Sequence, residues 1–593
     1  MKTMTIADFL MHRLAMFGAR HVFLIPGGGS MHLVDALGRN QDLEPVAMLH
    51  EQGVGIAAEA YAQYTDGIGV ALVTTGPGGT NVLTAVAAAW LDSTPLVVIS
   101  GQVKTADLVG SRGVRQFGFQ EIEICAMAKP ITKAAITITD VSKAIEQIIE
   151  TITIAVSGRP GPVLIDIPLD IQATEVSVTA EQLDGHAVRE VDLKDTLDLT
   201  RLLSELNQAK RPVLLIGNGI RLAKATAALI EFAERTNIPC LFTWKAFDML
   251  PFDHHLNAGR PGAVASRYAN FTQQASDYFI SIGARLDLGQ TGYRPENLAP
   301  RAHRVVVDID ENEILKLDQK DIESWAVDAG SFLNSLNEQS KSLTWSGYQP
   351  WHEAIVNWKS EFPIDLKPGH DPMETYEVLK VLSDFMQPND IFVPGSSGAC
   401  SEVSMQAFEN KTRQRVLNSE GLGPMGFGIP APIGVSCAAP NERIFSIDGD
   451  GGFQMNIQEL EVAARRKAKI CWIVLDNNGY GSIKVTQDGY FNGRRVASDP
   501  DSGLTLPDAA KVAKSFGLNS HTVTDASQLR NALEEFAITQ TPTVIVAKVN
   551  PNHKTEPRIA SMRNEDGTMS SDALENLTPK LPADVLKAHL TFD

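Results

Sequence analysis

Two segments of this 593-residue chain hold residue types that suit a metal-bound anion. Ile444-Phe-Ser-Ile-Asp-Gly-Asp-Gly-Gly-Phe453 runs from an apolar, strand-like stretch into a loop of Gly and Asp. Ile473-Val-Leu-Asp-Asn-Asn-Gly-Tyr-Gly481 repeats that change. Asp450 and Asn477 stand 27 positions apart, enough for a helix over 456–466 to cross between neighbouring strands. A carboxylate and an amide carbonyl are hard oxygen ligands of the kind Mg²⁺ or Ca²⁺ takes. Mg²⁺ commonly completes its shell with phosphate oxygens and water. The glycines beside Asp450 free backbone N–H groups, and a following helix N-terminus favours an anion. Ligands of open parallel sheets sit where such strands end. Two ordinary strand-end turns are the plain alternative, and the pairing of the motifs weighs against it.

Leu49-His-Glu-Gln-Gly-Val-Gly-Ile-Ala-Ala-Glu59 places Glu51 at an apolar strand end. Such a setting raises a carboxyl's tendency to be protonated. A Glu in the first turn of a helix is also favourable for its own sake. Ile25-Pro-Gly-Gly-Gly-Ser30 and Thr74-Thr-Gly-Pro-Gly-Gly-Thr-Asn81 are glycine-rich turns after strands. Neither has the dinucleotide spacing or the Gly-Lys-Ser/Thr ending of a nucleotide loop. Gly421-Leu-Gly-Pro-Met-Gly-Phe-Gly-Ile-Pro430 presents Met425, a polarizable side chain that also fits an ordinary core.

Three blocks must position these residues. Strand-like runs such as 70–74 and 96–100 alternate with helical stretches such as 53–64 and 81–90. That alternation predicts an α/β fold of three doubly wound domains with mainly parallel sheets. The expected boundaries are 1–175, 196–345 and 372–550. Residues 173–195 and 343–371 read as linkers, and 551–593 reads as a polar tail, either a flexible terminus, which composition favours, or an active-site cover. Lys plus Arg is 52 and Asp plus Glu is 71, a net charge of −19. Broad binding to a phosphate backbone needs clustered Lys and Arg, so nucleic acid is not an expected partner. No run of eighteen apolar residues predicts a membrane span, and Asp8, His12 and Arg13 interrupt any signal-peptide core. Five scattered cysteines fit a reducing cytoplasm.

The stretch 449–478 resembles the signature of thiamine diphosphate enzymes, Gly-Asp-Gly followed by Asn-Asn. The resemblance implies Mg²⁺ held by Asp450, Asn477 and the Gly479 carbonyl, bridging the cofactor's phosphates. It implies that Glu51 protonates the cofactor's aminopyrimidine and that Met425 wedges the cofactor into a bent shape. Pro26, Gly76, Gly398, Ala399, Cys400, Gly423, Gly449, Gly451, Gly452 and Tyr480 would line the cofactor. Gly29, Phe119 and Gln120 would face the reacting carbonyl, with Gly29 and Gln120 as donors to a developing alkoxide.

The whole chain is similar to the acetolactate synthase large-subunit family. Phe119-Gln-Glu121, Gly283-Ala-Arg-Leu-Asp287 with Thr291-Gly292, and Val307-Asp-Ile-Asp310 carry the likeness. It implies FAD in the middle block, near Arg285, Thr291, Asp310 and Asp328. Gly217-Asn-Gly219 after a strand is also a plausible backbone site for a diphosphate, with Arg285 as anion partner. It further implies pyruvate or a close 2-oxo acid as donor, a ketone acceptor, and a homodimer or homotetramer with active sites between subunits. The sequence departs from that family where Thr486 replaces the usual Trp. It departs again at Gly398-Ala-Cys-Ser401 and Arg260-Pro-Gly-Ala263. These departures look like the sugar-pathway branch, whose acceptor is a nucleotide-linked keto-deoxysugar. Acetolactate formation from two pyruvates is the alternative. Lys484 and Arg115 are lone cations, equally suited to steering an anion and to solvent.

Overall fold

The computed structural model describes all residues except 186–196, 319–320, 367, 397, 564–565 and 592–593. Its three large sheets are wholly parallel. The first runs Glu44–Ala47, His21–Leu24, Gly69–Val73, Leu96–Gln102, Val163–Pro168, Ala134–Thr137. The third runs Arg415–Val416, Ile391–Pro394, Ile444–Gly449, Ile470–Asp476, Thr543–Lys548, Asn519–Val523. The middle sheet has five strands: Cys240–Phe242, Pro212–Ile216, Tyr278–Ile282, His303–Asp308, Ile322–Ala326. The central strands read as unbroken apolar runs because helices cover both faces. Leu96–Gln102, for example, is buried at every position.

Counted in chain order within each sheet, the first and third share the strand order 2-1-3-4-6-5. The order reverses between strands 1 and 3, and such a switch point opens the crevice where ligands bind. In the first sheet that crevice lies after Leu24 and Val73, at the two glycine-rich turns. In the third it lies after Pro394 and Gly449, at residues 395–400 and 449–452. Topology thus explains why the glycine-rich segments fall where they do.

The first and third sheets form one compact unit, Met1–Glu190 with Asp390–Cys400 and Arg415–Pro551. They share a core in which Val54, Ala57 and Val82 join Ile433, Val435 and Leu460. Its centre is the contact between the helices Glu51–Thr65 and Pro430–Ala438, counterparts in the two sheets. Small residues let their backbones meet: a Cβ on Gly434 would lie 2.0 Å from the Ala57 carbonyl oxygen. Gly434→Ala is therefore expected to cost about 2–3 kcal/mol, because backbone, not a side chain, must move. Urea unfolding would check this; an unchanged midpoint would refute the close approach.

The middle sheet belongs to a second unit, Val191–Asn389 with Ser401–Gln414 and Asn552–Asp593. Three expectations need correction. The supposed linker 173–195 begins with a strand, Glu175–Val178, antiparallel to Lys2–Thr5, and a capped helix, Ala180–Asp184; its residues 186–195 lie outside the described residues. The stretch 343–371 contains the helix Gln349–Glu361, which buries Trp351, Ile355 and Trp358. The tail is not a free terminus. Ile559, Leu574 and Leu577 form a buried cluster, and Asn270 Nδ2 donates to the Leu574 carbonyl at 2.6 Å. No described helix is long and apolar enough to cross a membrane.

Candidate functional site

The metal motif folds as a cup of backbone amides around one carboxylate. Asp450 follows the strand Ile444–Gly449 and is 7 % exposed. Its Oδ1 accepts from Gly451 N–H at 2.8 Å and its Oδ2 from Gly479 N–H at 3.0 Å. Burial, and then the charge of Asp476, push its carboxyl up to about 6. Asn477 Oδ1 is buried with no hydrogen-bond partner. An orphaned hard oxygen, in the turn whose Gly479 N–H reaches the buried Asp450 carboxylate, is a donor that a divalent cation satisfies, so the residues fit Mg²⁺. Gly479 reaches its place with φ +134°, and a Cβ there would strike the Ser498 carbonyl at 2.2 Å.

Around this cup stand the other expected lining residues. A Cβ on Gly451 would lie 2.4 Å from the Tyr480 ring and 3.4 Å from Met425 Cε. Gly423 has φ +63° beside the Ser396 carbonyl. Gly398 opens the helix Gly398–Ala407, and a Cβ there would meet Ser482 Oγ at 2.5 Å. Ala399 follows in that helix, and buried Cys400 places its Sγ 3.9 Å from Asp448 Oδ1. Asp448, absent from the sequence reading, is buried where Cβ atoms on Gly395, Gly428 or Gly452 would clash. Gly449 N–H donates to its Oδ1 at 2.8 Å. Lys484 is not solvated: it is 3 % exposed, and its Nζ donates to the Asn477 carbonyl at 2.8 Å. That bond braces the metal loop. Thr486 is exposed on the helix Gly481–Tyr490.

Glu51 opens the helix Glu51–Thr65, and its Oε2 accepts from Asn81 Nδ2 at 2.9 Å. Pro26 lines an open cavity of about 470 Å³ with Gly27, Gly28, Met31, Val34 and Asp35. Gly29 does not present its amide to a ligand, since that N–H donates to Thr74 Oγ1 at 3.2 Å. Gln120 and Phe119 are exposed, Phe119 by 85 %. Gly76, at φ +68°, passes close beneath them: a Cβ would lie 2.5 Å from the Gln120 carbonyl. Glu121 organises the loop from within. Its carboxylate accepts from the amides of Val109, Phe117 and Gly118.

Gln102 anchors the same loop to the sheet, a role that sequence reading missed. Its Oε1 accepts from Thr75 Oγ1 at 2.8 Å and Val103 N–H at 2.9 Å. Its Nε2 donates to the Ile122 carbonyl at 3.2 Å and to Asp166 Oδ2 at 3.1 Å. Asp166 is 2 % exposed, and burial pushes its carboxyl up to about 7. The signal was an acid inside the apolar run Val163–Pro168. Because the folded pKa is raised, the folded state holds the extra proton between about pH 4 and 7. Stability is then fully present below about pH 4 and is lost as pH rises to about 7, by on the order of a few kcal/mol. Asp166→Asn is expected to flatten this limb; melting temperatures of both proteins at pH 5–8 would test it, and parallel curves would refute it.

In the second unit, the six positions singled out for a flavin all carry bonds that fold the domain. Gly217 N–H donates to the Ile282 carbonyl and Gly219 N–H to the Gly283 carbonyl, each at 2.9 Å. Arg285 pairs with Asp287 at 3.0 Å, and Thr291 Oγ1 donates to the Asp287 carbonyl at 2.9 Å. Asp310 and Asp328 cap the helices Glu311–Leu315 and Ala329–Ser340. Buried Arg260 donates to the Phe408 carbonyl at 2.8 Å and lies over the Phe247 ring. The geometry therefore gives a flavin no support of its own.

Comparison with known proteins agrees with the two-sheet site. The N-terminal TPP binding domain of thiamine pyrophosphate enzymes matches residues 4–127, their central domain 199–336, and their C-terminal TPP binding domain 396–547. The acetolactate synthase large subunit of Corynebacterium glutamicum is 33% identical, over 96% of this chain and 90% of the relative. Acetolactate synthase 1, chloroplastic, of Oryza sativa is 34% identical, over 94% and 86%. The isozyme 1 large subunit of Escherichia coli is 30% identical, over 94% and 96%. Fold and site thus define a thiamine diphosphate-binding, carbon–carbon bond-forming enzyme. Within that class the chain belongs to the acetolactate synthase large-subunit family.

Proposed function

We propose that this chain decarboxylates pyruvate, or a close 2-oxo acid, and joins the two-carbon remainder to a second 2-oxo acid. The observation that carries the proposal is the orphaned Asn477 Oδ1 together with the amide-cupped Asp450 carboxylate. The relatives' names favour acetolactate formation over a sugar acceptor, so the order of the two readings reached from sequence is reversed. When bound, thiamine diphosphate supplies the nucleophile and the electron sink. Asp450, Asn477 and the Gly479 carbonyl would hold Mg²⁺. Glu51 would meet N1′ of the pyrimidine and exchange a proton with it. Met425, close to Gly451, would support the cofactor. The Gln120 amide would donate to oxygen as negative charge develops there, with Phe119 beside it in the chain. The protein works as a homodimer or homotetramer in the cytoplasm.

A larger ketone acceptor, such as a nucleotide-linked keto-deoxysugar, is the second reading. Exposed Thr486 favours it, because a small polar residue leaves more room than Trp. The test begins with denaturing the purified protein and identifying what it releases. Thiamine diphosphate is expected; FAD in stoichiometric amount would place a flavin in the second unit. Incubation with pyruvate alone should then yield acetolactate. Pyruvate consumption only with an added keto-sugar would move the assignment to the second reading.

A further inference from the structure

Two carboxylates clamp backbone amides across the two sheets of the first unit, and they do so reciprocally. Glu459 follows the metal loop of the third sheet and is fully buried. The Leu49 N–H lies 3.2 Å from each of its carboxylate oxygens, and the His50 backbone also bonds to it. Leu49 and His50 are the two residues before Glu51. Gly53 leaves the carboxylate room: a Cβ there would lie 2.5 Å from Glu459 Oε1. Asp92 ends the helix Pro77–Leu91 of the first sheet and is 7 % exposed. Its Oδ2 accepts from Glu420 N–H at 3.0 Å and its Oδ1 from Gly421 N–H at 2.9 Å. Glu420 and Gly421 open the run that leads to Met425.

The two arrangements are counterparts. Each clamped loop follows the second strand of its sheet, Glu44–Ala47 or Arg415–Val416. Each precedes one of the two helices that pack on each other, Glu51–Thr65 and Pro430–Ala438. Each clamping acid lies between the third and fourth strands of the other sheet. An ionised carboxylate is acceptor-only and can take two amide N–H groups. A side-chain amide of the same shape must turn its NH₂ toward one of them.

We propose that Glu459 and Asp92 are positioning residues, each fixing from the opposite sheet the backbone that delivers Glu51 or Met425 to the cofactor. The proposal rests on the reading of Glu51 and Met425 given above. Neither acid touches a reacting atom; each acts through the segment it holds. Errors of about 1 Å at a reacting group cost up to about 100-fold in rate.

The test uses the full-length protein saturated with thiamine diphosphate and Mg²⁺, well below its unfolding transition. Deuterium exchange at C2 of the bound cofactor, quenched with acid and read by proton NMR, reports proton removal without any acceptor. Glu459→Gln and Asp92→Asn are each expected to slow exchange about 10-fold or more, with cofactor affinity kept. If either fails to fold, Glu459→Asp and Asp92→Glu replace them, keeping the charge but changing its reach, with the same expectation. Wild-type exchange in the clamp variants, with only a lowered melting temperature, would show purely structural clamps and overturn the proposal. Glu51→Gln, run in parallel, separates the two claims. If it alone loses exchange, the clamps have no positioning role. If it exchanges at the wild-type rate, the reading of Glu51 fails and the clamp proposal falls with it.

Discussion

Glu51→Gln is expected to lower turnover about 100- to 10,000-fold, the range that a positioned acid or base contributes. Mg²⁺-dependent binding of thiamine diphosphate should be unchanged. The substitution conserves volume, and the Gln amide oxygen can still accept from Asn81 Nδ2, which now lies 2.9 Å from the carboxylate. The helix start is also kept, because His50 Nδ1 accepts from Gln52 N–H whatever stands at position 51. What the variant lacks is an ionisable proton. A folding defect would instead appear as weakened cofactor binding and an earlier melt. Steady-state rates with pyruvate, set beside a cofactor titration on the same preparation, separate the two. Turnover near that of the unmodified protein would end the assignment of Glu51.

The α/β class was legible in the alternation of strand-like and helical runs; the strand order that builds the site was not. Gly-Asp-Gly and Asn-Asn are local patterns, and Asp450 and Asn477 carry their chemistry in residue type. The shared strand order of the first and third sheets is a long-range property that no window of sequence contains. Directions were hidden as well. Gly29 was read correctly as a turn residue, but nothing in the sequence says that its N–H points at Thr74 Oγ1. Lys484, a lone cation in the sequence, suited solvent and anion steering equally; its side chain folds inward to the Asn477 carbonyl. Glu459 and Asp92 sit in helical stretches where an acid is unremarked. Their meaning comes only from amides some 400 and 330 residues away in sequence. The tail shows the opposite error. Ile559, Leu574 and Leu577 are too widely spaced to form a periodic pattern, yet they are buried together, and bonds such as Asn270 Nδ2 to the Leu574 carbonyl tie the segment down.

Asp450→Asn is expected to weaken cofactor binding at fixed Mg²⁺ by about 100-fold or more, beyond the loss typical when a ligand's supporting partner is removed. Two effects act in the same direction. The metal loses its one charged protein ligand, since Asn477 and the Gly479 carbonyl are neutral. The cup is also spoiled: Gly451 N–H and Gly479 N–H now each have a carboxylate oxygen, at 2.8 and 3.0 Å, and an amide side chain must turn its NH₂ toward one of them. Raising Mg²⁺ should restore part of the binding, because the lost attraction belongs to the metal. Asn477→Ala should show the same partial rescue with a smaller deficit, as it removes a neutral ligand and leaves the cup intact. Calorimetric titration of thiamine diphosphate at several Mg²⁺ concentrations measures both. Equal affinity in Asp450→Asn and the unmodified protein at every Mg²⁺ concentration would place the metal elsewhere. A deficit insensitive to Mg²⁺ would make Asp450 a brace for the Gly479 turn and not a ligand.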